Sequence, residues 1–323
     1  MIKIALFCDS VSTKSGIIRY CDLLKSLIEK YSDCKVDVFS NLSYKRVLNC
    51  VNFYDKREIR KILLTNSYDV VHINGFISTI PYCIFSVLQS LKYPAQIVYT
   101  PHAHPFYTLN HPMRNKLFFH LFVKKILKKA NTIISINKED FDFFSKYNTN
   151  VVTIPHWKTR DLDVKQKVGN KKPIILFVGR NDSNKNLKAL YELPRDEYKI
   201  ICVTNIKPER EDFEYMSNLT DEELMQLYSS VSLTVIPSRY EAFSYTALES
   251  LLVGTPILVS NRVRIVDFLE GVKGVVQYNY DDKHDFNNKV KIALEQIVEV
   301  EKVKEIFSEQ KAFEKYERVY KCK

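Results

Sequence analysis

Two glutamates, Glu241 and Glu249, lie eight residues apart in a segment whose residue types could bind an anionic ligand that also carries hydroxyl groups. The apolar run Val231–Pro237 before them predicts a buried parallel strand. The residues from Ser244 to Val253 predict a helix, which a glycine and a proline end just beyond. A strand, a loop with a carboxylate and a helix N-terminus would therefore meet at one point of the chain.

The start of this helix favours negative charge. Backbone N–H groups at Phe243, Ser244 and Tyr245 would point out of the helix N-terminus, where the helix dipole attracts anions. Glu249 lies one turn inside the helix, poorly placed for phosphate but well placed to accept hydrogen bonds from sugar hydroxyls. Glutamates are common near helix N-termini because the helix dipole favours them, which would explain Glu241 without a function. The dipole does not explain Glu249, because Glu249 lies inside the helix. Phosphate and hydroxyl recognition side by side indicate a nucleotide sugar.

A second charged pair, Arg180 and Lys185, lies in the loop after the predicted strand Ile174–Val178. Ligands of open α/β sheets bind at the carboxyl ends of the strands. Two cations there suit a diphosphate, with arginine as a planar fork and lysine as a point charge. Ordinary surface charges in a loop are the alternative.

The elements that would position these residues are two series of short apolar strands that alternate with helices. Such alternation predicts an α/β architecture with open parallel sheets covered on both faces. The clearest helix, Gly16–Lys30, has apolar residues at helical spacing. The predicted strands are Lys3–Cys8, Lys35–Phe39, Val70–Ile73, Gln96–Tyr99, Thr132–Ser135 and Val151–Ile154 in the first series, and Ile174–Val178, Lys199–Val203, Leu233–Ile236, Pro256–Val259 and Gly274–Val276 in the second.

Composition places the chain among soluble globular proteins. Its 323 residues suffice for two domains of about 150 residues each. Seven scattered cysteines, with no Cys-x-x-Cys pair, predict reduced thiols in a cytoplasmic protein rather than a disulfide framework or a zinc site. The N-terminal residues enter a strand pattern directly, so no signal peptide is predicted. Polar residues interrupt the apolar window Ile73–Leu91, which favours a buried helix over a membrane span.

The order and separation of the two charged motifs resemble the donor-domain signature of glycosyltransferase family 4. Gly179-Arg180 with Lys185 carries the resemblance, together with Glu241 to Glu249 and the following run Ser-Leu-Leu-Val-Gly-Thr-Pro-Ile. The resemblance implies a retaining enzyme of the GT-B fold, which has two Rossmann-like domains with a cleft between them. Weaker matches in the first half of the chain are Ser15-Gly16, Asp69-Val70-Val71-His72, Thr100-Pro101-His102 and Ile133-Ile134-Ser135.

This resemblance implies a domain organisation. Residues 1–157 would form an N-terminal, acceptor-side Rossmann-like domain, and the polar stretch 158–171 a linker. Residues 172–305 would form the C-terminal nucleotide-sugar (donor) domain, and residues 306–323 a C-terminal helix that returns to the first domain.

The resemblance also assigns residues to the donor diphosphate. Arg180 and Lys185 would hold it and neutralise its charge as the sugar leaves. Gly16 would let the first loop approach the phosphate closely, since it lacks a Cβ. The resemblance implies no metal or other cofactor beyond a UDP- or GDP-type nucleotide sugar as co-substrate. The Asp-x-Asp strings at 140–142 and 161–163 are compatible with this, since they do not follow strands.

On the sugar side, the resemblance makes Glu241 the ligand of the donor-sugar hydroxyls, helped by the amides of Phe243 and Ser244. Glu249 would bind the ribose hydroxyls, and His102 would lie in the cleft near the sugar. With Arg180 and Lys185, Glu241 and His102 complete the predicted catalytic set.

Several positions depart from the family pattern. The glycine expected after the donor lysine is Asn186, and the Glu-Gly-Phe-Gly run is Glu241-Ala242-Phe243-Ser244. Alanine and serine carry a Cβ that glycine lacks, so we expect the donor sugar to sit differently.

The spacing of His102 and His104 would put both side chains on one side of an extended loop. Three interpretations stay open: a metal pair that lacks an evident third ligand, loop histidines without a role, and a histidine that contacts donor or acceptor. Position favours His102 for the last of these.

The net charge of +10 lies wholly in residues 1–157, which hold 21 Lys or Arg against 11 Asp or Glu, whereas residues 158–323 hold 27 of each. A basic half implies an anionic partner. The segment Arg114–Lys129 predicts a helix with basic and apolar faces, which suits an anionic membrane surface. An apolar face packed on the sheet, with the lysines in water, is the alternative. One predicted flank holds Leu117, Leu121, Lys124, Lys125 and Lys128, and another holds Phe118, Phe122 and Ile126.

The sequence thus predicts a cytoplasmic retaining glycosyltransferase that moves a sugar from a nucleotide sugar to an acceptor hydroxyl. A lipid-linked acceptor or an anionic glycan, met at the inner membrane surface, would explain the basic half. Nucleic acid is not expected, because it would explain neither the glutamates nor the donor loop. The alternatives are a nucleotide-sugar-binding module without transfer activity and another enzyme of this fold, such as a nucleotide-sugar epimerase.

Overall fold

The computed structural model describes residues 1–9, 16–47, 51–76, 78–107, 112–157 and 172–321. The chain separates into two compact units. Met1–His156 and the segment from Glu309 onward form the first unit, and Trp157–Ser308 form the second. The predicted linker, 158–171, lies outside the described residues.

The first unit is built on a parallel sheet whose strands are buried along most of their length, as covered parallel strands are. Its described strands are β1 (Lys3–Cys8), β2 (Lys35–Phe39), β3 (Tyr44–Val47), β4 (Val51–Tyr54), β5 (Val70–Asn74), β6 (Gln96–Thr100), β7 (Thr132–Ser135) and β8 (Val151–Thr153). The sheet order is β2-β1-β5-β6-β7-β8, and β3 pairs with β4 as a separate antiparallel hairpin. The sequence did not predict this hairpin.

The second unit repeats the same plan. Its described strands are β9 (Ile174–Val178), β10 (Lys199–Val203), β11 (Glu214–Met216), β12 (Leu233–Ile236), β13 (Ile257–Ser260) and β14 (Val275–Tyr278). They form one parallel sheet in the order β11-β10-β9-β12-β13-β14. The edge strand β11 was not predicted, and β13 and β14 begin one residue later than predicted.

The described α-helices alternate with the strands. They are α1 (Gly16–Tyr31), α2 (Lys56–Thr65), α3 (Ile80–Leu91), α4 (Pro112–Phe118), α5 (Lys124–Lys129), α6 (Lys138–Phe144), α7 (Asp221–Ser230), α8 (Tyr245–Leu252), α9 (Lys283–Leu294), α10 (Val300–Ile306) and α11 (Glu309–Lys321). A π-helical turn, Phe119–Val123, joins α4 to α5, and two 3-10 helices cover Leu187–Glu192 and Arg264–Phe268.

The last helix, α11, packs on α1 within the first unit. Lys30 Nζ lies 2.6 Å from Glu309 Oε2, and the hydroxyls of Tyr20 and Tyr316 are 2.5 Å apart in the interior. The buried residues of α1 recur at helical spacing because one face of the helix covers the sheet.

The apolar window Ile73–Leu91 contains the end of β5 and the buried helix α3. Within the described ranges, we find no helix with the length and apolar character needed to cross a bilayer.

Candidate active site

The loop after β9 holds Lys185 in place through a nearby carboxylate. Asp182 Oδ1 accepts hydrogen bonds from the backbone N–H groups of Asn184 (3.0 Å) and Lys185 (2.9 Å). An Asx turn of this kind fixes the backbone without a helix. The next residue, Asn186, has φ +53°, a left-handed conformation that asparagine tolerates better than most residues. Asparagine therefore fills a position for which the family pattern has glycine.

Lys185 and Glu241, predicted from separate motifs, are in direct contact. Lys185 Nζ lies 2.9 Å from Glu241 Oε1, and the two side chains are 23% and 10% exposed. Lys185 follows β9 and Glu241 follows β12, and these strands are hydrogen-bonded neighbours in the sheet. The sheet thus brings a cation and a carboxylate together at the carboxyl ends of its strands.

A serine completes the arrangement around Glu241. Ser238 Oγ donates to the same oxygen, Oε1, at 2.5 Å. Both side-chain partners of Glu241 therefore converge on Oε1, and among the described residues Oε2 receives no hydrogen bond. A carboxylate held by one oxygen can accept a ligand hydroxyl on the other.

The backbone around Glu241 is anchored to the segment after β13. Glu241 N–H donates to Arg262 O (3.2 Å), and Arg264 N–H donates to Glu241 O (2.9 Å). Ser260 Oγ donates to Ser238 O at 2.6 Å. These contacts fix the loop between β12 and α8 at both the serine and the glutamate.

Arg180 does not join the Lys185–Glu241 contact in this structure. Its guanidinium pairs with Asp182 at 3.0 Å, and its side chain is 71% exposed. Solvent screens such an exposed pair, so the arginine can exchange it for another anion at little cost.

The N-terminus of α8 begins three residues after Glu241. Ser244 is its N-cap, and Ser244 Oγ accepts the N–H of Ala247 at 3.3 Å. The ring of Phe243 is buried against Tyr245 and Phe307, with centroids 5.7 Å apart in both pairs. The Ser244 hydroxyl is thus turned inward as a cap.

Glu249 lies in the second turn of α8 and is half-buried. Its neighbours Leu248 and Ser250 are buried, and Ser250 Oγ donates to Thr234 Oγ1 at 2.8 Å. The helix that carries Glu249 is therefore anchored to β12 through Ser250.

In the first unit, His102 follows β6 and has a strained backbone, with φ +66°. His102 Nε2 is 3.1 Å from Asn74 Oδ1, and the ring lies edge-on to Tyr20 (4.3 Å) and stacked on His156 (5.9 Å). Burial lowers the pKa of His102 well below its usual range, and repulsion from the protonated forms of His156 and His72 lowers it further. The imidazole is therefore neutral at pH 7.

His104 has different surroundings. Its ring stacks on Tyr107 at 4.2 Å and contacts Phe143 at 4.6 Å. Burial lowers the pKa of His104 to about 4, with a further contribution from Lys146. The expectation of one extended loop is wrong, because the left-handed backbone at His102 interrupts the alternation of side chains.

Gly16 is the exposed first residue of α1. A Cβ built on it would have no atom within 4 Å. Protein packing therefore does not require glycine here, and the predicted close approach of a phosphate stays a prediction. Its partner in the motif, Ser15, lies outside the described residues.

The carboxyl ends of β1 and β5 also hold residues that the sequence did not predict. Asp9 accepts the N–H of Ser78 at 2.8 Å and also the Ser78 hydroxyl. Gly75 has φ +100°, and a Cβ there would lie 2.4 Å from Asp9 Cβ. The sequence signals for this site were a carboxylate directly after β1, Asp9, and a glycine directly after β5, Gly75.

The basic segment, Arg114–Lys129, is helical and contains a π-helical turn at Phe119–Val123. The extra residue in this turn changes which side chains lie on each face of the helix. Its buried face consists of Phe119, Val123, Ile126 and Leu127, and Phe118 and Phe122 are only partly buried. Leu117 and Leu121 are 61% and 55% exposed. One face is therefore packed in the interior and another presents leucines to the solvent, and contact with a membrane surface stays a prediction. Exposed lysines flank them at Lys116, Lys125, Lys128 and Lys129.

Comparison with known proteins places this geometry in context. Residues 158–310 match the family model Glycosyl transferases group 1. A relative described as an uncharacterized 41.2 kDa protein in the cps region of Klebsiella pneumoniae is 26% identical over 257 residues, which cover 69% of each chain. The group 1 match supports sugar transfer in general.

Two solved structures resemble the chain along its whole length. Sucrose-phosphate synthase from Thermosynechococcus elongatus matches with a TM-score of 0.73 and 15% identity, covering 99% of this chain and 98% of that one. Anabaena HepE in complex with UDP and glucose matches with a TM-score of 0.68 and 14% identity, covering 100% of both. The two parallel six-stranded sheets of the described chain match GT-B glycosyltransferase structures, so the predicted fold class is confirmed.

Proposed function

We propose that this protein is a metal-independent, retaining glycosyltransferase of family 4 that transfers a sugar from a UDP- or GDP-type nucleotide sugar to an acceptor hydroxyl. The observation that carries the proposal is the contact between Lys185 and Glu241 at the carboxyl ends of β9 and β12. This contact supports the proposal because a cation suited to a diphosphate lies beside a carboxylate suited to sugar hydroxyls. The group 1 match and the UDP-glucose complex of HepE support the assignment.

Lys185 and Arg180 serve the leaving group. When the bond between the anomeric carbon and the phosphate oxygen breaks, its electrons stay on the diphosphate. The acceptor oxygen forms the new bond to the anomeric carbon, and its proton passes to the diphosphate oxygen that has left. Lys185 is three-quarters buried, so its charge acts through a weakly screening environment. Arg180 can leave Asp182 to join it, because their pair is exposed.

Glu241 holds the sugar and does not attack it. Its Oε1 is occupied by Lys185 and Ser238, so Oε2 accepts the donor-sugar hydroxyl. Glu249 accepts the ribose hydroxyls. The amides of Phe243, Ser244 and Tyr245 add positive potential at the start of α8.

The proposal gives the first unit two roles. Gly16 makes room for the donor phosphate, and His102 contacts a sugar hydroxyl. The acceptor is lipid-linked, and the exposed leucines Leu117 and Leu121, among lysines, bind an anionic lipid surface.

Nucleotide binding tests the donor site. Lys185→Ala should weaken binding of the nucleotide diphosphate about 10- to 100-fold, because it removes a charge-assisted hydrogen bond of about 1.5–3 kcal/mol. Glu249→Ala should weaken binding about tenfold through the lost ribose contact. Isothermal titration calorimetry with UDP and GDP measures both.

The matched control is Lys199→Ala. Lys199 forms an ion pair with Glu214 at 2.7 Å at the amino end of β10, away from the carboxyl ends of the strands. This variant should bind nucleotide as the wild type does. If Lys185→Ala and Glu249→Ala also bind like the wild type, the donor site is misassigned.

The two alternative functions give different results. A binding module would bind nucleotide sugars and release no nucleotide with any acceptor. An epimerase would return a nucleotide sugar with an altered sugar, which product analysis detects.

A further inference from the structure

Asn74, at the carboxyl end of β5, is fully buried, and its two amide atoms have different partners. Asn74 Nδ2 donates to the carbonyl oxygen of His72 at 3.3 Å. A carbonyl can only accept, so this contact fixes the amide nitrogen on the His72 side. The amide oxygen is therefore the atom that faces His102.

This orientation determines the proton position on His102. Asn74 Oδ1 is 3.1 Å from His102 Nε2 and cannot donate, so Nε2 must carry the hydrogen. In a neutral imidazole the other nitrogen, Nδ1, then has the lone pair. His102 Nδ1 has no hydrogen-bond partner among the residues that the structure describes, and the residue is partly accessible to solvent.

The ring of His102 is also fixed in space. Tyr20 and His156 contact it, and Tyr20 is in turn tied to Tyr316 of α11 by the hydroxyl pair at 2.5 Å. The left-handed backbone at His102 adds strain, which structures retain mainly at functional sites. Nδ1 therefore has a defined direction.

We propose that Asn74 is a positioning residue that holds His102 as the Nε2–H tautomer, so that His102 Nδ1 accepts a hydrogen bond from a hydroxyl of the sugar substrate. The role in sugar binding rests on the proposed function, whereas the tautomer does not. Asn74 lies one residue beyond the predicted strand Val70–Ile73 and belongs to no motif that the sequence revealed.

The groups around His102 leave the imidazole neutral. His72, on β5, is bonded to Tyr320 Oη (2.9 Å) and to Thr100 Oγ1 (2.7 Å), and burial lowers its pKa to about 3. Burial also lowers the pKa of His156, after β8, to about 3. Tyr20, on α1, has its pKa raised by burial, so it too is uncharged. The carboxylate of Asp9, at the end of β1, is engaged by Ser78.

The tautomer is tested by nitrogen-15 NMR of the full-length protein labelled at histidine. The His102 signal is assigned as the one missing from the His102→Gln variant. At pH 7 we expect a protonated, pyrrole-like Nε2 and an unprotonated, pyridine-like Nδ1. A protonated Nδ1, alone or together with Nε2, would overturn the proposal whether or not the protein transfers sugar.

The functional role is tested with Asn74→Asp. A carboxylate beside Nε2–H stabilises the doubly protonated ring, in which Nδ1 donates and can no longer accept. We expect kcat/KM for the donor to fall about tenfold at pH 6.5 and to recover as the pH rises. Asn74→Leu, which removes the acceptor, should mix the two tautomers in the NMR spectrum and lower kcat/KM at every pH.

The matched control is Asn131→Asp. Asn131 Oδ1 accepts the N–H of Ile97 at 2.7 Å, a contact that a carboxylate preserves, at the opposite end of β6. This variant should keep the wild-type pH profile. If the wild type turns over and Asn74→Asp shows the same profile as Asn131→Asp, the role of Asn74 is refuted while the transferase assignment stands. If the wild type turns over no donor, the transferase assignment fails and the NMR result alone judges the tautomer.

Discussion

Replacing Ser238 with alanine tests how the protein holds Glu241. The Ser238 hydroxyl, 1% exposed, donates to Glu241 Oε1 at 2.5 Å. Ser238→Ala leaves Lys185 Nζ, at 2.9 Å, as the remaining side-chain partner of the carboxylate within the described part of the chain. The carboxylate should then turn about its contact with Lys185, so that Oε2 is no longer directed at the sugar.

The size of the effect follows from the contact that is lost. A hydrogen bond to a charged group contributes about 1.5–3 kcal/mol, and each 1.4 kcal/mol corresponds to about tenfold in rate. Glu241 is 10% exposed, so water replaces the lost partner poorly. We expect kcat/KM for the donor sugar to fall about 10- to 100-fold. Binding of the free nucleotide diphosphate should change less than about threefold, because Lys185 is intact.

Steady-state rates against donor concentration give the first quantity, and calorimetry with UDP or GDP gives the second. Ser229→Ala is the control, since Ser229 donates to Gln226 O on the surface of α7. An unchanged kcat/KM in Ser238→Ala would refute the role of Ser238. An equal loss of nucleotide affinity would show that the serine supports the whole site rather than Glu241.

Three further perturbations follow from the structure. Serine at both Leu117 and Leu121 should lower binding to phosphatidylglycerol vesicles at least about 100-fold in sedimentation, with neutral phosphatidylcholine vesicles as the reference. Each leucine that enters the lipid contributes about 1.5–3 kcal/mol, so the two together contribute about 3–6 kcal/mol. Unchanged binding would exclude this exposed surface. The pKa of His72 is about 3 in the folded protein, against about 6.5 in the unfolded chain. Between these two values the unfolded chain binds more protons than the folded protein. The free energy of unfolding should therefore fall as the pH drops, by up to about 1.4 kcal/mol per pH unit. Urea unfolding at pH 5 and pH 7 should show a smaller difference in His72→Gln, and an equal difference would contradict this origin. Gly75→Ala should cost at least about 2 kcal/mol in urea unfolding, because its Cβ would lie 2.4 Å from Asp9 Cβ at φ +100°; an unchanged midpoint would contradict the packing.

Much of the fold was predictable because apolar runs and helical spacing report burial directly. The strands β1, β2, β7, β9, β10 and β12 have the predicted bounds. The hairpin of β3 and β4 and the edge strand β11 were missed because they are short and carry charged or polar residues among the apolar ones. Their strand character comes from pairing with a neighbour, such as Ile201 with Glu214, which local sequence does not encode.

The candidate site was predictable where residues belong to motifs. Lys185 and Glu241 were predicted as site residues from separate loops, and the structure brings them into contact. Ser238 and Asn74 were missed because the role of each depends on which atom its side chain contacts: Glu241 Oε1 for Ser238 and His102 Nε2 for Asn74. A serine shortly before a glutamate is common in loops. Ser238 and Lys185 share the same oxygen of Glu241, Oε1, only because the fold brings the neighbouring strands β9 and β12 together.

Nucleotide release is the measurement that decides whether the protein transfers sugar. The full-length wild type is incubated with UDP-, GDP- and ADP-sugars and with acceptor lipids in phosphatidylglycerol vesicles, alongside Lys185→Ala and Lys199→Ala. We predict release of UDP or GDP together with a glycosylated product by the wild type and by Lys199→Ala, and at least about tenfold slower release by Lys185→Ala. No release from any donor, together with no thermal shift on adding free nucleotide, would contradict the proposed function.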